Sequence, residues 1–118
     1  MICQMLLIAA AMQSPQATYY AETCYIKSLT YPIRTHACIE SLPERKEEID
    51  ARATAWSNKY RPLFQKAQAY LESRQYDFSK GAVPFHVNMA TSWASAEQDD
   101  GRQSMMETCD AHLADLNS

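Results

Sequence analysis

The sequence predicts an all-α protein, a small up-down bundle of three long helices, or of four shorter ones, that is stapled by a disulfide. Only two of its 118 residues are glycine, which is too few for the tight turns of a β fold. Valine, isoleucine and threonine never alternate with polar residues along a run, so no segment has the two-residue period of a strand. A chain of this length is one domain with a small core, and its four cysteines offer covalent support for that core.

Residues 1–17 have the pattern of a cleaved signal peptide. An apolar run from Met5 to Met12 is followed by a polar stretch and then by the small residue Ala17. The run is shorter than the roughly 20 residues that a membrane-spanning helix needs. We therefore expect cleavage after Ala17, release into the periplasm or the medium, and one helical domain at 18–118 without a membrane span. The alternative is a buried amino-terminal helix of a cytosolic protein.

The first helix is predicted at 18–30, because Pro32 disfavours helical geometry at the residue before it. The second helix is predicted at 41–74. Its expected start is the sequence Ser41-Leu42-Pro43-Glu44, which matches a capping box. Its apolar residues recur at spacings of three and four and predict one buried stripe: Ile49, Ala53, Trp56, Tyr60, Leu63, Ala67 and Tyr70.

Pro62 interrupts this stripe without changing its phase, which favours a single bent helix over two helices with a tight joint. Residues 75–83 are predicted to form the main loop, and Pro84 is well placed to open the next helix. Two further stripes follow in the same phase, and Gly101 between them marks either a weak point or a break between helices. They consist of Phe85, Met89, Trp93 and Ala96, and of Met106, Cys109, Leu113 and Leu116.

Charge is unevenly distributed along the chain. The net charge of −3 argues against a nucleic-acid partner, which would require a basic surface. Six basic residues lie between Arg52 and Lys80, and six acidic residues lie at 97–115. One interpretation is two solvated helix faces that attract each other when packed, with Glu48 and Arg52 as an i,i+4 pair. The other is a bipolar surface that recognises a partner.

Three cysteines remain after the predicted cleavage: Cys24, Cys38 and Cys109. In an oxidising compartment two of them should pair and one should be left over. The preferred pair is Cys24 with Cys109, and pairings with Cys38 are the alternatives. A bridge that closes more than 70 residues contributes about 4 kcal/mol. The odd cysteine would allow a homodimer through an intermolecular disulfide.

The same region offers a second hypothesis, a metal site. His36 and Cys38 form one ligand pair, and Cys109 and His112, three residues apart, form another on one helix face. Two cysteines and two histidines could hold a tetrahedral zinc ion. The competing interpretation is that the cysteines are oxidised and the two histidines are solvated.

No catalytic or cofactor motif occurs, since the chain lacks a nucleophile elbow, a phosphate loop and a zinc-protease signature. We therefore expect no enzyme and no cofactor. The expected function is that of an exported protein that binds an unknown protein partner, as an inhibitor or an immunity-type factor. Four tyrosines near the mature amino terminus are candidate interface residues: Tyr19, Tyr20, Tyr25 and Tyr31. The alternative function is the metal-binding helical bundle.

Overall fold

The computed structural model describes residues 3, 16–99 and 102–117, and it confirms the all-α class in its four-helix form. The elements are α1 (Gln16–Ser41), a short 3₁₀ turn (Pro43–Arg45), α2 (Lys46–Ser73), α3 (Ala82–Asp99) and α4 (Arg102–Leu116). Within these described ranges, none of the helices combines the length and apolarity that a bilayer crossing requires.

The helices alternate in direction. Helices α1 and α2 are antiparallel, because the buried side chain of Cys24 shares a cluster with that of Leu71, whereas Cys38 shares one with Ile49. Helix α4 runs back along α1 and is bonded to it at Cys38. Helix α3 packs along α1 in the same direction as α1, and the Arg34 guanidinium lies 5.6 Å from the ring of Trp93. Their order is therefore up, down, up and down.

Helix α1 does not end before Pro32, as the sequence predicts, but continues through it to Ser41. A proline inside a helix removes one hydrogen bond and costs about 3 kcal/mol. Beyond Pro32 the helix buries Thr35, Ala37 and Cys38, and Cys38 is covalently bonded to α4. Tertiary packing thus outweighs the local preference of the proline.

The capping box is also absent. Ser41 is the last residue of α1, and Leu42 caps the 3₁₀ turn without a side-chain hydrogen bond. The Leu42 amide instead donates to the Cys38 carbonyl at 2.9 Å, and its side chain is fully buried. Burial of Leu42 holds this corner of the chain, so α2 begins only at Lys46.

Helix α2 confirms the predicted stripe and the single helix across Pro62. Its buried residues are Ile49, Trp56, Tyr60, Ala67 and Leu71. The predicted loop is confirmed as well. Its Gly81 has a φ of +79°, a conformation that glycine adopts without strain, and Pro84 falls in the first turn of α3, where it breaks no hydrogen bond.

The stripe predicted for α3 is mostly exposed. Phe85 and Met89 are 59% and 54% exposed, Trp93 is half-buried, and the side chain of Ala96 lies outside the described part of the structure. The residues that α3 buries are the smaller Val83 and Ala90. Because α3 lies at the edge of the bundle, neighbouring helices cover only a narrow strip of it.

The buried residues form two clusters, and each cluster contains one disulfide. The larger cluster joins α1, α2 and α4 and consists of Cys38, Leu42, Ile49, Trp56, Tyr60, Met105, Cys109, Leu113 and Leu116. The smaller cluster lies at the other end of α1 and consists of Cys3, Ala21, Cys24, Ala67 and Leu71. The covalent bonds therefore reinforce both ends of the bundle.

Candidate functional site

The disulfides differ from the preferred prediction. Cys109 bonds to Cys38, with Cα atoms 5.8 Å apart and a sequence separation of 71, and Cys24 bonds to Cys3. The assignment of Cys24 to Cys109 is wrong because α1 is one continuous helix. At 1.5 Å per residue it separates Cys24 from Cys38 by about 21 Å, and α4 reaches α1 beside Cys38.

The predicted signal peptide lies outside the described residues except for Cys3, Gln16 and Ala17. Gln16 and Ala17 are the first residues of α1, and Cys3 is held by Cys24. No described cysteine is free, so an odd thiol arises only in a chain that lacks Cys3. The two disulfides are compatible with an oxidising compartment.

The four proposed metal ligands do not form a metal site. Cys38 and Cys109 are consumed by their disulfide, and His36 is an exposed residue whose Nε2 lies 2.9 Å from a carboxylate oxygen of Glu40. His112 is buried, with its Nε2 at 2.9 Å from the Thr35 hydroxyl. No group of three metal-ligating side chains occurs in the described part of the chain.

The environment of His112 keeps its ring neutral. Its pKa is lowered to about 4, chiefly by burial and also by the Arg34 guanidinium, while the Asp115 carboxylate opposes both effects. Its Nδ1 atom has no hydrogen-bond partner among the described residues. The ring packs edge-on against Tyr31, with centroids 5.5 Å apart.

The four candidate interface tyrosines do not share one surface. Tyr19 is exposed and contacts Tyr20 edge-on. Tyr20 and Tyr25 are half-buried against the smaller cluster, and Tyr31 is half-buried against the larger one. An interface role for the group remains a prediction, and Tyr31 lines a concave part of the molecule.

That concave part is a cleft of about 430 Å³ between α1 and α2, a volume typical of ligand sites. Its aromatic wall contains Tyr31 stacked on Trp56, with ring centroids 4.7 Å apart, and Phe64 beside Trp56 at 5.1 Å. The polar residues around it are Ser28, Thr35, His36, Asp50, Thr54, Ser57, Asn58 and Arg61.

The outer surface of α2 carries a row of basic residues without acidic partners. Arg52, Lys59 and Lys66 are seven residues apart, which places them on one side of the helix, and all three are exposed. None forms an ion pair with a described carboxylate. The expected Glu48–Arg52 pair is replaced by a bond of 2.5 Å from Arg45 to Glu48.

The basic row was not among the sequence predictions, although its seven-residue spacing is visible in the sequence. The cleft was not predicted either, because its lining combines residues expected in the core with residues expected at an interface. Comparison with protein-family models, curated proteins and solved structures finds no match for this chain.

Proposed function

We propose that this chain is exported and binds an acidic partner protein without catalysing a reaction, as an inhibitor or an immunity-type factor of the periplasm or the medium. The observation that carries the proposal is the basic row of α2, defined as Arg52, Lys59 and Lys66. These three side chains are exposed, share one side of the helix and have no acidic partner in the described part of the chain.

The row is suited to recognition because its charge is not neutralised from within the molecule. Aligned charges on a surface steer an oppositely charged partner into register and raise the association rate, more than they raise affinity. Buried side chains of α2, among them Ile49, Trp56 and Tyr60, pack against α1 and α4 and hold the row on a rigid helix. Such a surface binds with little loss of conformational freedom.

A protein partner fits this surface better than a nucleic acid does. The whole chain has a net charge of −3, and the six acidic residues at 97–115 would repel a continuous phosphate backbone. An acidic patch on a folded protein is local. Its contacts can therefore be confined to the basic row.

Export is supported by the leader-like sequence and by the Cys38–Cys109 disulfide, which cleavage after Ala17 would leave intact and which persists mainly in an oxidising compartment. Ala17 is fully buried in α1. A peptidase would therefore have to cut after Ala17 before the domain folds, which is the order of events during translocation.

The proposal is tested with the full chain as bait in a cell-envelope extract from the source organism. Three baits are compared: the wild type, the double variant R52E/K59E, and the control R74E/K80E, which changes the charge equally at exposed sites outside the row. We expect a protein that the wild type and the control retain and that R52E/K59E loses, with binding that weakens as salt rises. If all three baits retain the same proteins, or if nucleic acid is the species lost, the proposal is wrong.

A further inference from the structure

We infer that the Cys3–Cys24 disulfide fastens the amino-terminal segment to the folded domain and thereby protects the peptide bond after Ala17 from cleavage. The inference rests on the exported state in the proposed function, because a disulfide forms and persists mainly in an oxidising compartment. The outcome of processing then depends on which event comes first. A chain cut after Ala17 loses Cys3, whereas a chain that has already formed the disulfide retains it.

Both cysteines of this disulfide belong to the interior of the protein. Cys3 and Cys24 are fully buried in the smaller cluster, together with Ala21, Ala67 and Leu71. Their Cα atoms are 4.9 Å apart. Cys3 is therefore a core residue of the folded chain, and its removal would leave a buried Cys24 thiol without its bonded neighbour.

Aromatic side chains pack against the cluster that contains this disulfide. They are Tyr25 on α1 and Tyr76 and Phe78 in the loop before α3. The ring of Phe78 contacts both tyrosines, with centroids 4.9 Å from Tyr25 and 5.0 Å from Tyr76, and the Tyr76 hydroxyl donates a hydrogen bond to the Glu22 carboxylate. Exchange of a disulfide requires that a thiolate reach one of its sulfur atoms. Because neither cysteine is exposed, the disulfide should exchange slowly once the domain has folded.

The bond between Ala17 and Thr18 lies in the first turn of α1, and Ala17 is fully buried. A protease acts on a segment that has opened locally, so the rate of cleavage follows the population of the open form when opening is fast. Terminal turns are the usual place for such opening. Cys3 and Cys24 lie on either side of this bond, with a sequence separation of 21. Their disulfide restricts the conformations of the opened chain and therefore lowers the population that a protease can cut.

The two reactions leave different products. The disulfide forms by exchange with a disulfide-bonded oxidant: one thiolate displaces the first thiol of the oxidant, and the other thiolate then displaces the second. Cys3 and Cys24 together give up two electrons and two protons, and the oxidant is reduced to two thiols. Cleavage adds one water molecule across the amide bond and does not change the disulfide. A chain cut after folding would therefore consist of two fragments that separate only when a reductant is added.

The test exposes the folded full chain, oxidised with glutathione disulfide, to a protease that cuts after alanine. The protease is chosen on the reduced, unfolded wild type, in which it must cut between Ala17 and Thr18. Mass spectrometry with and without reductant measures the initial rate of this cut. We compare the wild type, Cys3→Ser/Cys24→Ser, and a matched control that lacks the other disulfide.

The control is Cys38→Ser/Cys109→Ser, which also loses two cysteines but keeps the Cys3–Cys24 bond. We expect the cut in Cys3→Ser/Cys24→Ser to be about tenfold faster than in the wild type, or more, and the control to stay within about threefold of the wild type. Circular dichroism verifies that each variant is folded. The inference is overturned if the wild type is cut as fast as Cys3→Ser/Cys24→Ser. It is also overturned if the control is cut equally fast, because protection would then reflect the stability of the whole fold.

A partly oxidised sample of the wild type gives the same comparison without a substitution. Its free thiols are alkylated before a short exposure to the protease, and only molecules that contain the Cys38–Cys109 bond are counted. Cleavage after Ala17 should be confined to molecules in which Cys3 and Cys24 are alkylated. Cut molecules that carry the Cys3–Cys24 bond in proportion to its abundance would contradict the inference. Capture of a partner through the basic row would still leave the proposed function standing, whereas native protein with all its cysteines reduced would reject the exported state itself.

Discussion

The Thr35 hydroxyl and Nε2 of His112 are 2.9 Å apart although 77 residues separate them in sequence. Thr35 precedes Cys38 by three residues, and His112 follows Cys109 by three. The hydrogen bond and the Cys38–Cys109 disulfide are therefore neighbours, one helical turn apart, along the antiparallel contact of α1 with α4. A covalent bond and a buried polar contact together determine the register of these two helices.

Acid should destabilise the protein through His112. The folded state lowers the pKa of His112 from 6.5 to about 4, so the unfolded chain binds more protons between those values. Stability contributed by the neutral ring is complete above the unfolded pKa and is lost as the pH falls toward 4. Between about pH 7 and pH 4.5, the free energy of unfolding of the wild type should fall by about 2 kcal/mol more than that of His112→Gln.

Urea titrations at several pH values measure this difference, and carboxylates common to both proteins cancel from it. His36→Gln removes a histidine from an exposed position of α1 and serves as the matched substitution at the surface. Parallel curves for the wild type and His112→Gln would contradict the assignment.

Removing the long-range disulfide should cost more than removing the short-range one. The double variant Cys38→Ala/Cys109→Ala opens a loop of 71 residues and should lose about 4 kcal/mol of unfolding free energy. The variant Cys3→Ala/Cys24→Ala opens one of 21 residues and should lose about 3 kcal/mol. Urea unfolding without reductant gives both values, and a loss below about 1 kcal/mol for the first variant would speak against its disulfide.

Two methionines provide a matched test of the corrected packing of α3. Met89 is 54% exposed, whereas Met105 on α4 is 2% exposed. Met89→Ala should change the unfolding free energy by less than about 0.5 kcal/mol, while Met105→Ala should lower it by about 2–5 kcal/mol. Thermal and urea unfolding of the two variants compare them directly. A loss of about 2 kcal/mol at Met89 would contradict the exposed position of this stripe.

The number of free thiols depends on processing. The chain that retains Cys3 should have no free thiol, because both disulfides are intact. A chain cut after Ala17 should have one, and alkylation of the denatured, unreduced protein should label Cys24. Mass spectrometry of the exported protein detects both the cleavage after Ala17 and the alkylated cysteine. A label on Cys38 would instead support the pairing of Cys24 with Cys109.

Such a processed chain also tests the homodimer through the odd cysteine. With Cys24 unpaired, non-reducing electrophoresis should show a covalent dimer of 18–118 that Cys24→Ser does not form. A monomer in both samples would remove this route to a dimer.

Periodicity was sufficient to predict the class of the fold and its longest buried stripe. The three- and four-residue spacing from Ile49 to Leu71 depends only on helical geometry and the burial of apolar side chains, so it was readable without coordinates. The two local sequence signals near the α1–α2 corner, at Pro32 and Ser41, predicted the wrong end of α1 and the wrong start of α2. Pro32 and the Ser41 capping motif have energies of a few kcal/mol or less, which the burial around Leu42 and Cys38 outweighs.

Only the residue types of the candidate site could be predicted from the sequence. Basic residues, tyrosines and prolines are visible in the sequence, but the cleft exists because Tyr31 and Trp56 face each other from two helices. Whether the basic residues of α2 have acidic partners likewise depends on which side of α4 faces them. Among the described residues, the ion pair to α4 comes from Arg45, in the turn before α2, which pairs with Asp110.

By itself, then, the sequence determined a helical, single-domain chain with a capacity for disulfides and an uneven charge, because these properties follow from composition and short-range spacing. The tertiary structure decided which cysteines pair, which stripe of α3 is exposed, and that His112 is buried against Thr35. Those outcomes depend on contacts between residues that are far apart in the chain. Their energies arise only when whole helices are packed together.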